Sequence, residues 1–107
     1  MLEINGNEIY VTRGDTAVIK LELDNYEFVD GDVVYFSVKK YKNDTNYVIQ
    51  KTITEFNGNS VSAKLYAEDT DIAEGNYWYD FQCNLLDGRI DTVVTPSRFT
   101  IGEQITE

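Results

Sequence analysis

The sequence predicts an all-β fold: an antiparallel β-sandwich of about seven strands with one short helical turn. Three observations point to it. Apolar residues recur with period two along most of the chain and never keep the 3.6-residue period beyond a turn or two. Aromatic residues make up 13% of the chain, with eight tyrosines and five phenylalanines; together with many β-branched residues they favour pleated, half-buried surfaces. Finally, residues 68–83 read as a helical turn, a glycine stop and a strand with Tyr77 just past the turn. An immunoglobulin-type sandwich turns the corner between its sheets in this way, the tyrosine hydroxyl reaching back to an upstream backbone group. Gly75 and Tyr77 are therefore the expected structural corner.

Glu8–Thr12 is the first expected strand. After the turn at Arg13-Gly14-Asp15, the residues Ala17, Ile19, Leu21 and Leu23 alternate with Thr16, Val18, Lys20 and Glu22, giving one apolar face. Asp30-Gly31-Asp32 is a second turn, after which Val34, Phe36 and Val38 share a face. Residues 41–46 are polar and loop-like. The strand at 47–56 is the least regular, because Val48, Ile49 and Ile53 place apolar side chains on both faces, as at a sheet edge or a bulge.

Asn57-Gly58-Asn59 is a tight-turn signal that feeds a strand pointing Val61, Ala63 and Leu65 inward. Residues 67–73 are the only helical candidate, about two turns, with Gly75 as the C′ stop. Tyr77, Tyr79, Phe81, Cys83 and Leu85 then fall on one face of a long strand. Asp87-Gly88 is the strongest hairpin signal and joins that strand to the next, at 89–95. Pro96 should interrupt the ladder, so that a last strand at 98–101 crosses to another pairing or sits at an edge.

With 107 residues and 42% hydrophobic content the chain suits one domain around one core. Order is expected over 8–102, followed by a short flexible C-terminal tail. A net charge of −10 repels phosphate backbones, which argues against nucleic acid as a partner, and it favours solubility. The lone Cys83 excludes an internal disulfide framework. No run approaches the roughly 18 apolar residues of a membrane span, so no membrane insertion is expected. Residues 1–6 lack a basic n-region and an apolar h-region, so no signal peptide and synthesis as a soluble cytoplasmic product are expected.

Histidine is absent, and with it the commonest general base, triad partner and metal ligand. Cys83 has no activating partner and faces the core by alternation. Glu68, Asp69 and Asp71 crowd one helical turn, where a solvated acidic face suited to the helix dipole explains them. Those three, or Asp30 with Asp32, offer oxygens for calcium but lack EF-hand spacing. Glycine-rich phosphate loops are missing. Arg13-Gly14-Asp15 spells an integrin-ligand tripeptide and reads here as turn chemistry. The expectation is no enzyme, no catalytic residue, no cofactor and no metal.

Trp78 is the odd placement, because it lies on the face opposite Tyr77 and Tyr79. It either packs under a loop or stands exposed beside Tyr10 or Tyr35. There it would anchor a protein contact or, as the alternative, form a platform on which a sugar stacks. Trp78 and the edge strand with Val48, Ile49 and Ile53 are the expected contacts with a partner or a second copy.

Val11-Thr12-Arg13-Gly14-Asp15-Thr16 is followed by Val34-Tyr35-Phe36-Ser37-Val38-Lys39-Lys40, then Leu65-Tyr66-Ala67-Glu68-Asp69-Thr70 and Gly75-Asn76-Tyr77-Trp78-Tyr79-Asp80. In this order they resemble the N-terminal immunoglobulin-like domain of phage baseplate upper proteins, and related small prophage proteins of Gram-positive bacteria are similar. The resemblance runs from Ile9 to Ile101. It implies a small β-sandwich that mounts a receptor-binding apparatus on a tail tip, an assembly module touching other virion proteins or itself. Larger family members continue into a linker and distal domains, whereas this sequence stops at Glu107. A stand-alone tail, baseplate or decoration subunit, incorporated into a virion, is therefore expected. Ala67 stands where the family often has a proline.

Overall fold

The computed structural model describes residues 2–5, 8–24 and 26–103. Its strands are β1 (Leu2–Asn5), β2 (Glu8–Thr12), β3 (Ala17–Glu22), β4 (Val33–Lys39), β5 (Ile49–Ile53), β6 (Ser60–Leu65), β7 (Gly75–Asn84) and β8 (Ile90–Gly102). A helical turn, α1 (Ala67–Thr70), lies between β6 and β7. One sheet has the order β1-β2-β8-β7-β4-β5, and β3 pairs with β6 in the other. The run β8-β7-β4-β5 facing β3-β6 is the G-F-C-C′ against B-E arrangement of an immunoglobulin-type sandwich. The protein is thus an all-β sandwich, as the alternation requires. One pairing departs from the antiparallel expectation: β2 runs parallel to β8, Ile9 lying opposite Phe99.

The apolar rows read from the sequence meet between the sheets. Ile19, Val61, Ala63 and Leu65 face Val34, Phe36, Val38, Tyr77, Tyr79, Phe81, Phe99 and Ile101, all buried. The ring of Phe36 lies 5.0 Å from Phe81, 5.7 Å from Tyr79 and 6.2 Å from Phe99, at tilted or edge-on angles that suit ring quadrupoles. Burial of each such phenylalanine is worth roughly 2 kcal/mol.

Several elements differ from the sequence reading. The helix is one turn, at Ala67–Thr70, and not the two turns expected over 67–73. Tertiary contacts end it: buried Thr70 donates its hydroxyl to the Asp15 carbonyl at 2.7 Å, and Arg13 Nε holds the Asp71 carboxylate at 3.0 Å. Gly75, at φ +139°, is consequently not the helix stop; it opens β7. Pro96 does not interrupt its strand either. Tyr79 lies opposite Ser97 and Phe81 opposite Val94, so two residues of β8, Thr95 and Pro96, face the single Asp80. This bulge accommodates the residue that has no N–H to give. Beyond it β8 gains β2 as a second neighbour while still paired with β7.

Among the described residues β5 pairs only with β4 and so forms the edge expected, though shortened to Ile49–Ile53. β1, which the sequence reading passed over, pairs antiparallel with β2. Of the flexible tail expected after residue 102, residues 104–107 lie outside those described. No helix among the described residues is long and apolar enough to cross a membrane.

One buried carboxylate fixes the long loop between β3 and β4. Asp32 Oδ2 accepts the Tyr26 hydroxyl at 2.6 Å and the Val29 N–H at 2.9 Å, and Oδ1 accepts the Leu86 N–H at 2.8 Å. Burial alone would raise its pKa; the three hydrogen bonds outweigh that and hold it below the ordinary value. Tyr26 is pushed up to about 12, first by donating to this carboxylate.

Candidate functional site

Tyr77 is buried and its hydroxyl donates to the Ala73 carbonyl at 2.6 Å, while Lys40 Nζ stands 4.6 Å from its ring centre. Tyr77 and Gly75 are therefore scaffold: they set where the next residue of β7 emerges.

That residue is Trp78, half-buried on the outer face of the large sheet, with Lys39 of β4 on one side and Arg98 of β8 on the other. Lys42, from the loop after β4, places its ammonium 4.1 Å from the indole centre, and the Arg98 guanidinium lies 5.8 Å away. One strand over, Lys39 Nζ sits 5.0 Å from the Tyr47 ring. Tyr47, Lys39, Trp78 and Arg98 thus make an alternating row of rings and cations across the sheet. Tyr35 stands further along, opposite Gln82, and Tyr10 lies beyond β8, opposite Thr100. The neighbours of the indole are cations, brought by strand register and one loop, and of the two settings read from sequence this is closer to loop packing.

Asp80 is the next outward residue of β7, with its pKa raised by burial and pulled back in part by Lys39. The recess touching Trp78, between Ser37, Lys42 and Asp80, measures about 40 Å³, room for a water or two. A hollow of about 250 Å³ lies beside it, between Tyr35, Tyr47, Gln50 and Gln82, and does not include Trp78. A flat face bearing Trp, Tyr and Arg has the composition of protein contacts.

The β5 edge needs correction in one respect. Ile49, Lys51 and Ile53 all turn inward, whereas Gln50 and Thr52 are exposed. The apolar residues of β5 therefore share a face, and Ile49 is buried opposite Val38, so its side chain is not available to a partner. Val48 precedes the strand, exposed, its N–H donated to the Val38 carbonyl at 2.8 Å. Ile53 is half-buried on the wall of a groove of about 600 Å³ between β5 and β6.

Lys51 reaches across this open side. Its ammonium pairs with Asp69 of α1 at 2.8 Å and lies 5.2 Å from the Tyr66 ring centre. Asp69 also accepts the Tyr66 N–H at 2.7 Å, capping the helical turn. Burial would raise its pKa, but Lys51 and that N–H pull it lower still. In the sequence Lys51 reads as the guard of this edge, but neither its carboxylate partner nor the meeting of Lys42 with Trp78 was visible, because the partners are distant along the chain.

The thiol is committed to structure. Cys83 is buried, and burial, with Asp91 and Asp32 adding to it, pushes its thiol up to about 11. Among the described residues no group of three or more His, Cys, Asp or Glu side chains could hold a metal ion. Arg13-Gly14-Asp15 turns the chain between β2 and β3, with Gly14 at φ +82° and Arg13 on Asp71. No protein-family model matches the chain, and no curated protein matches it in sequence.

Proposed function

We propose that this chain is a non-enzymatic assembly module of a phage or prophage particle, of the tail or baseplate type, working through protein–protein contacts. The observation that supports this most is the β5 edge, with its unpaired main-chain groups next to exposed Val48 and one strand away from the Trp78 row. An open edge is a template for another strand, and Trp, Tyr and Arg are the residues that anchor interfaces. The four stretches that resemble baseplate upper proteins fall on the β2–β3 turn, β4, the α1 corner and β7, the scaffold presenting these surfaces. Its partners are other virion proteins or a second copy.

Particles induced from the bacterium carrying the gene and purified by density should contain the chain at a fixed ratio to the tail proteins by mass spectrometry. Particles devoid of it would overturn the reading. Cell-wall carbohydrate is the second reading, favoured by the hollow between Tyr35 and Tyr47. It requires that cell-wall fragments shift the resonances of those two tyrosines.

A further inference from the structure

A strand position is vacant between β5 and β6. In immunoglobulin-type sandwiches with more strands, strand D lies beside the counterpart of β6, or C″ continues past the counterpart of β5. Here residues 54–59 lead from β5 directly into β6, and each of the two has a single neighbour among the described strands. Asn57 exchanges both backbone hydrogen bonds with Ser60 at the start of β6; past that bridge no strand among the described residues pairs with the groove side of β5 or β6.

The groove is also chemically distinct from the rest of the molecule. Ile53, Phe56 and Tyr66 give it apolar surface, and Lys20, Lys51 and Lys64 line it, three of the nine basic residues in a chain of net charge −10. Glu55 is the one acidic side chain on its wall among the described residues. Lys51 is held by Asp69, and Lys20 by Glu22 in an exposed pair of the kind worth little. Lys64 is exposed and makes no ion pair among the described residues.

We propose that this groove takes an extended acidic segment of a partner polypeptide, which adds to the β5 edge as a strand and fills the vacant position. The proposal deepens the assembly reading and rests on it for the nature of the partner. Main-chain hydrogen bonds give affinity in strand addition, and the lysines select carboxylates over amines. A second copy fits less well, because pairing β5 with β5 would bring Lys51 towards Lys51.

The test is a titration of the isotope-labelled full chain with a synthetic peptide of alternating valine and glutamate, followed by amide shifts. Controls are the valine–lysine peptide of the same length and the acidic peptide interrupted by a central proline. Shifts should centre on 49–56 and 60–66, weaken at high salt, and be smaller with either control. Lys20→Glu with Lys64→Glu should weaken binding by about tenfold or more at unchanged melting temperature.

Absence of shifts, equal binding of the lysine or proline peptide, shifts centred on Trp78, or self-association through the same residues would each overturn the proposal. Failure here with the chain present in particles leaves the assembly reading standing. Binding here with the chain absent from particles removes that reading and not the groove.

Discussion

Lys51 and Asp69 meet at 2.8 Å across the open side of the sandwich, tying the edge of the large sheet to the helical turn that leads out of the small one. The two partners have unequal duties. Asp69 also caps the turn through the Tyr66 N–H, whereas Lys51 supplies one charge and an aliphatic stem.

Asp69→Ala should therefore cost about 1 kcal/mol, the usual value of a lost cap, and the loss should persist at high salt. Lys51→Met keeps the stem and should cost less, with the difference vanishing as salt screens the pair. Urea unfolding at low and high salt measures both. A Lys51→Met loss larger than that of Asp69→Ala would invert the assignment.

Asp32 sets the response to acid. Its folded pKa lies below the unfolded value near 3.8, so its contribution is fully present above that value and is lost as pH falls through the folded one. Asp69 adds in the same direction. Stability should drop below about pH 4. Asp32→Asn should cost on the order of 2–3 kcal/mol at neutral pH and flatten the acid limb. An acid limb of unchanged slope in the variant would contradict this.

Tyr26 sets the alkaline response. Its folded pKa is raised from 10.0 to about 12, so its contribution is present below pH 10 and lost as pH climbs towards 12. Tyr26→Phe should lack this loss. Burial raises Tyr77 and Tyr79 as well, so ultraviolet titration of the native phenolates should show a late-ionising fraction that shrinks by one group in Tyr26→Phe and disappears in denaturant.

Tyr77→Phe removes the hydrogen bond to the Ala73 carbonyl and should cost about 1 kcal/mol, with the circular dichroism spectrum unchanged. Equal midpoints for variant and parent in urea would mean that the corner does not depend on this bond.

Cys83 should resist a thiol reagent in the native state and react at one equivalent in denaturant, its rate tracking global opening. Immediate stoichiometric reaction under native conditions would show the β7 face to be open.

The sequence disclosed what alternation controls. Val34, Phe36 and Val38 in β4 and the odd-numbered residues from Tyr77 to Cys83 in β7 lie against one core, with mostly half-buried residues on their other faces, so their sidedness could be read directly. Ile49 was misplaced because Val48 sits outside the strand, and including it confuses the period. The extent of α1 depends on Asp15 and Arg13, far away in sequence, and the tolerance for Pro96 depends on a bulge opposite Asp80. The surroundings of Trp78 were hidden for the same reason. Lys42 and Arg98 reach it from a loop and a neighbouring strand, and no local pattern records that meeting.

The parallel pairing of β2 with β8 has a consequence for assembly of the molecule itself. During synthesis β2 is made well before β8, yet its place beside β8 exists only when Phe99 to Gly102 have been added. Until then Ile9 and Val11, buried in the finished core, have no β8 to lie against. Such distant pairing is slow to find, on the order of milliseconds to seconds for sandwiches of this kind. Ribosome-bound chains arrested before Phe99 should accordingly remain protease-sensitive at β2 while chains extended beyond Gly102 become protected.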